Sequence, residues 1–374
     1  MPSPLAIPLQ QHTLPSLDGL RAVAVFLVVL YHFGFAAVNG GQGVLIFFVI
    51  SGFLITWLLL KEEERWGGVS LKLFYARRTL RIFPAFYAYW LLVVVGFSLL
   101  GKNVDTRQSI AAFFYVNNYY QVIAGDPNTA LSHTWSLAIE EQFYLLWPAI
   151  FIALRTPVRR AWVLAGTIGA VWVYRTIAVL AFNIPQGYVY ESLDMRSDHL
   201  LVGCLLATLL FLRPTATAWQ AICRRSWYFW LTAGMLALSS AMPALVEWRY
   251  RDLVGFTIDP LLVALLIVQA VAFSTSSAAW LNVGVVAWLG RMSYSIYLYQ
   301  QIALEPAKDA FSTAPVAVQL VAAIGLCVTV SAVSYYLIER PFLILKERWG
   351  TRRPARQISP DAGTSFAERA SAVP

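Results

Sequence analysis

Stretches of roughly 17–25 mostly apolar residues, each closed by a polar break, recur along the whole chain. Such stretches cannot share one water-excluded core. They cross a bilayer as helices, because a lipid-exposed backbone must satisfy its own hydrogen bonds. The stretches fall at about 17–36, 43–60, 84–100, 135–154, 161–182, 197–213, 227–246, 256–274, 283–304 and 314–338. The fold class expected is therefore all-α: a polytopic membrane protein of about ten transmembrane helices. Composition agrees, since only 13% of the 374 residues are charged, against about 25% in soluble domains. The apolar segment at 110–120 is too short to cross and is placed at an interface.

The loops give the orientation. With the N-terminus inside, inner loops and the C-terminal end hold 20 of the 28 Lys and Arg, and outer loops hold 6. That bias predicts both termini in the cytoplasm and an even number of spans. The net charge of +8 then belongs to this topology and to membrane lipids, and no nucleic-acid partner is expected. Residues 1–348 read as one integral-membrane domain, and 349–374 as a disordered basic cytoplasmic tail. The first stretch lacks a basic region ahead of it and carries Asp18 and Arg21, so it reads as a retained helix. Cys204, Cys223 and Cys327 show neither paired nor metal-like spacing, so neither a disulfide framework nor a metal site is expected. No internal repeat is visible, which weighs against transporter folds built from inverted repeats.

Ionisable groups inside spans are costly and become functional candidates. Arg21 and His32 share one face of the first span, eleven residues and about 16 Å apart along the axis. Arg21 is either a snorkelling cation or a binding group. His32 is either a core histidine or a proton-transfer group, since its pKa lies near neutrality. The fourth span opens His133-Thr134-Trp135-Ser136 and carries Glu140 and Glu141. Two adjacent carboxylates there are hard to explain as packing. Ser136, Glu140 and Tyr144 share a face at i, i+4, i+8. The sixth span starts with Arg196, Asp198 and His199, either an interfacial ion pair or part of a site. Depth alone groups His32, Glu140, Glu141, Arg196, Asp198 and His199 in the outer half.

A second group lies inside. Arg77, Arg78 and Arg81 run into the third span with phosphate-clamping spacing, or else simply anchor the topology. Arg291 falls at the same level. In the second span the Ser51-Gly52 step suits close helix approach. Ser51 becomes a nucleophile only with a base beside it, and packing is the favoured reading.

Together these strings resemble the membrane acyltransferase-3 family, which O-acylates lipopolysaccharide, exopolysaccharides, Nod factors and macrolides. The matching pieces are Asp18-Gly19-Leu20-Arg21 with His32; Phe47-Phe48 through Ser51-Gly52-Phe53; and Arg77-Arg78 through Arg81-Ile82 and Pro84. Further along come Thr134-Trp135-Ser136-Leu137 with Glu140 and Gln142-Phe143-Tyr144; Arg196 with Asp198; and Ser293-Tyr294 with Tyr297-Leu298. They span roughly residues 15–342. Each is weak alone and specific in this order.

The resemblance implies a multi-pass protein of the bacterial inner membrane. Its donor would be a cytoplasmic acyl-CoA, acetyl-CoA being the family's commonest case, and its acceptor a hydroxyl of a carbohydrate or lipid-linked glycan. Arg21 and His32 match residues regarded as essential there, and the run Arg77 to Arg81 matches one linked to the donor. The mechanism expected has Arg77, Arg78, Arg81 and Arg291 hold the CoA phosphates while His32 deprotonates the acceptor or first takes the acyl group. Glu140 would fix the imidazole or bind the acceptor. Glu141, Arg196, Asp198, His199, Trp135 and Ser136 are assigned to the acceptor side. Many relatives have His where this chain has Gln300, so Gln300 receives no catalytic part. Some relatives carry an appended extracytoplasmic hydrolase-like domain, and the length of this chain predicts none. The rival class is a transporter or flippase using the same buried charges as a path.

Overall fold

The computed structural model describes Leu5 and residues 14–35, 37–125, 127, 129–213, 216–246 and 248–350. These residues form helices and connecting turns, with no strand among them. The principal helices are α1 (Pro15–Phe33), α2 (Gly40–Trp66), α3 (Leu71–Leu99), α4 (Thr106–Phe113), α5 (Asn117–Ala124), α6 (Trp135–Ala153) and α7 (Pro157–Ala181). They continue as α8 (Gln186–Leu212), α9 (Tyr228–Leu245), α10 (Arg251–Ala272), α11 (Gly284–Arg291), α12 (Ser293–Ala310) and α13 (Val316–Glu347).

Eight of them, α1, α2, α3, α7, α8, α9, α10 and α13, are long and apolar enough to cross a membrane. The fourth and ninth stretches of the sequence reading fall on α6 and α12, which are more polar. α6 carries Glu140-Glu141-Gln142, and α12 carries Gln300, Gln301, Glu305, Lys308 and Asp309. The ninth stretch is also broken: α11 stops at Arg291 and α12 begins at Ser293. The third begins earlier than expected, at Leu71, because the Ser70 side chain caps it by accepting from the Leu73 amide. The basic run therefore lies within a helix. Past Gly350 the tail lies outside the described residues, and 349 and 350 belong to the terminal helix Arg340–Gly350.

Small residues set the central helix contacts. A Cβ on Gly52 would lie 1.9 Å from the Leu200 carbonyl oxygen, and one on Gly203 would lie 2.1 Å from that of Val49. α2 and α8 thus touch backbone to backbone, the close approach expected from Ser51-Gly52. Gly290 fits α11 in the same way against the Asp18 carbonyl of α1.

The segment between α3 and α6 folds inward. α4, α5 and the 3₁₀ turn Ser132–Thr134 bury an amide network. Asn117 Nδ2 donates to Leu131 O at 3.0 Å and to Thr134 Oγ1 at 2.9 Å. Gln121 Nε2 donates to Ser132 O at 2.8 Å, and Tyr89 Oη to Ala130 O at 2.6 Å. Each buried backbone group so satisfied removes a desolvation penalty that lipid could not offset.

Gly203→Ala should destabilise the protein by about 1–3 kcal/mol, because a methyl group there meets backbone that cannot repack. A fall in Tm of the purified protein in detergent checks it.

Candidate active site

Five helices bring charge to one level of the bundle, α11 contributing Arg291. α1 contributes Asp18 and Arg21, 4.0 Å apart. α3 contributes Arg78 and Arg81, α6 contributes Glu140 and Glu141, and α13 contributes Glu339. Arg81 lies within electrostatic reach of Arg21, Arg78 and Glu339. Asp18 lies within reach of Arg21, Arg81 and Arg291. Glu339 ends a π-helical turn, Tyr335–Glu339, and accepts from Ser295 Oγ of α12 at 2.9 Å. The Arg78 guanidinium stacks on Tyr144, 3.8 Å from the ring centroid. Arg77 points elsewhere, onto Glu62 of α2 at 2.5 Å. That contact removes Arg77 from the group its sequence spacing suggested.

Glu140 belongs to this group as well. Its carboxyl is surrounded by Ser51, Arg78, Arg21 and Tyr144. The register of α2 and α6 agrees. Phe48 meets Trp135 on one side of this level, at 6.4 Å, and Thr56 accepts from Trp147 Nε1 on the other, at 2.9 Å. Ser51 falls between these contacts, opposite Glu140. Ser51 and Glu140 are each only partly buried.

His32 stands apart from them. Its Nδ1 lies 2.9 Å from Val28 O. A carbonyl only accepts, so Nδ1 carries the proton and Nε2 keeps its lone pair. The tautomer expected to depend on Glu140 is thus set by α1's own backbone. Lys308 Nζ reaches the His32 carbonyl oxygen at 3.4 Å.

The outer-half cluster expected from depth therefore divides. Glu140 and Glu141 sit with the arginines, both within electrostatic reach of Arg78. Arg196, Asp198 and His199 form a sealed group on α8. Asp198 is held by Arg175 of α7, with Nη1–Oδ1 3.1 Å and Nη2–Oδ2 2.9 Å, and by Trp172 Nε1 at 2.9 Å. His199 Nε2 donates to Phe256 O at 3.1 Å. The Arg196 guanidinium is fully buried among aromatic rings, 4.0 Å from the Phe256 centroid and 4.9 Å from that of Tyr190. Trp135 and Ser136 are buried too, and Ser136 Oγ bonds Tyr297 Oη at 2.5 Å. The structure does not bring this set to the His32 ring.

Comparison with known proteins now adds to the geometry. A family model described as an acyltransferase domain matches residues 14–337. The chain belongs to the acyltransferase-3 family. Every charged group described above, Glu339 excepted, lies within the matched acyltransferase region. The chain is 35% identical over 315 residues to the peptidoglycan O-acetyltransferase OatA of Listeria monocytogenes, covering 76% of this chain and 48% of that protein. It is 33% identical over 352 residues to the O-acetyltransferase OatA of Staphylococcus aureus, covering 88% of this chain and 57% of that protein. The chain thus spans about half the length of the curated relatives it matches. No solved structure matches.

Several residues of this acyltransferase domain escaped sequence reasoning. Arg175 is an ionisable residue in an apolar helix, a signal that could have singled it out. Asp18 precedes Arg21 by one helical turn. His133 stood out only as an ionisable residue opening the fourth span, and Glu339, just beyond the matched region, had no local signal.

Arg175→Met should cost about 3–5 kcal/mol by leaving Asp198 buried without its partner. Arg175→Met with Asp198→Leu should recover much of that loss. Thermal denaturation of the three proteins in detergent decides, and equal losses in the single and double variants would contradict the pairing.

Proposed function

We propose that this multi-pass membrane protein transfers an acyl group, acetyl first among candidates, from acyl-CoA to a hydroxyl of a cell-envelope glycan. The observation that carries the reading is the convergence of Arg21, Arg78, Arg81 and Arg291 on one level of the bundle, within a domain of acyltransferase type. Guanidinium groups bind phosphate oxygens bidentately, and a group of them inside a membrane needs anions to offset its cost. Asp18, Glu140 and Glu339 supply part of that charge, and the CoA phosphates would supply more.

In this reading the CoA phosphates bind at the arginines, and the pantetheine arm runs outward along α1. Arg21 and His32 are separated by eleven residues, about 16 Å of helix, which the arm bridges to bring its thioester to the imidazole. The His32 Nε2 lone pair removes the acceptor proton. The acceptor oxygen bonds the thioester carbonyl carbon, the C–S bond breaks, and the thiolate takes the proton back from His32. General-base assistance of this kind is worth about 10²–10⁴-fold. A bacterial relative named for peptidoglycan supports an envelope glycan as acceptor.

His32→Ala should reduce glycan-dependent release of free CoA thiol from acyl-CoA by at least about 100-fold while the protein still inserts. Arg78→Ala and Arg81→Ala should chiefly raise the KM for acyl-CoA. Acetyl units on envelope glycans, read by mass spectrometry, should disappear from a deletion strain. If the purified wild type moves glycans across vesicles without consuming acyl-CoA, it is a transporter and this reading fails.

A further inference from the structure

His133 sits in the 3₁₀ turn that leads into α6 and is 4% exposed. Its backbone is pinned from two sides. Tyr297 Oη donates to the His133 carbonyl oxygen at 2.9 Å and accepts from Ser136 Oγ, which itself lies 3.3 Å from the same carbonyl oxygen. Its ring stands edge-on to Tyr89 of α3, with centroids 5.6 Å apart, and to Tyr297 of α12, at 5.3 Å. The backbone of Leu298 and Ala130 faces the ring, yet neither ring nitrogen has a partner in hydrogen-bonding geometry. His32 lies within electrostatic reach.

The fold therefore fixes this imidazole firmly, while the backbone of Leu298 and Ala130 beside it meets its nitrogens outside good hydrogen-bonding geometry. Packing between two tyrosines does not call for a histidine, because a phenylalanine would fill the same slot. Buried polar groups are nearly always satisfied, and an exception calls for a reason. A ring enclosed in this way stays neutral, with one N–H to give.

We propose that His133 is the second imidazole of the transfer site, a neutral donor whose N–H binds the thioester carbonyl oxygen. The proposal rests on the acyl-transfer reading above. As the acceptor oxygen attacks, its proton passes to His32 Nε2. The carbonyl electron pair moves onto oxygen, where the His133 N–H stabilises the developing charge. Collapse re-forms the carbonyl, expels the thiolate and returns the His32 proton to sulfur. Free CoA thiol and the O-acyl glycan result, with both imidazoles restored. The donor is preorganised, so no reorganisation is needed as charge develops.

The test compares His133→Phe, which keeps the aromatic packing without a donor, with His133→Gln, which restores a donor that does not titrate. Purified proteins are assayed for CoA thiol release from acetyl-CoA with envelope glycan, alongside Tm in detergent. His133→Phe should lose about 10²–10³-fold in kcat, as removal of one such donor does elsewhere, with the acetyl-CoA KM and the Tm little changed. His133→Gln should recover a measurable part of that loss and keep the wild-type pH profile. His133→Leu replaces the Phe variant as the donor-free arm if the latter does not fold. A donor-free variant with wild-type kcat overturns the proposal, as do equal losses in folded Gln and donor-free proteins. Failure of the wild type to release CoA would instead overturn the acyl-transfer reading itself.

Discussion

The cost of holding ionised side chains inside a membrane governs this structure. An isolated charge there is expensive enough that it must find a partner, a water-filled space or a ligand. The described residues meet that demand in two ways. Arg175 and Asp198 cancel each other, fully enclosed, with further bonds to Met195 O and Phe256 O. The buried Arg160 is also paired, with the part-exposed Glu63 where α7 meets the end of α2, through bonds of 2.5 and 2.7 Å. The arginines of α1 and α3 are different. They crowd one another, and the carboxylates that face them are the partly buried Asp18 and Glu140 and the buried Glu339. A closed ion pair is a structural element, whereas a crowd of one sign suits an anionic ligand.

The glycines make that arrangement possible. Backbone contact of α2 with α8 at Gly52 and Gly203, and of α1 with α11 at Gly290, draws the helices close enough for side chains from distant segments to meet. The inward cap between α3 and α6 has the complementary effect. Its hydrogen-bonded amides lead directly into α6, whose Glu140 meets Ser51 and Arg78. The arginine group and His32 are separated along α1.

Much of the architecture was legible in the residue order. Ten apolar stretches became helices or helix pairs, and the short aromatic segment at 110–120, too short to cross, became part of the short-helix cap. Arg21, Arg78 and Arg81 were recognisable because charge in an apolar helix stands out. Partners were not legible. Arg77 shares the spacing of Arg78 and Arg81, yet it turns to Glu62. Asp198 lies two residues from Arg196, yet it bonds Arg175.

The sequence by itself determined that this chain crosses a membrane many times and which helices carry ionisable groups, because hydropathy and helical period are local properties. Only the tertiary structure decided which of those groups face one another. Depth along a helix depends on where its loop begins it, and the direction of a side chain depends on which neighbour packs close. Those are properties of the assembled bundle. For that reason the imidazole tautomer of His32, the placement of Glu140 and the enclosure of His133 appeared only in three dimensions.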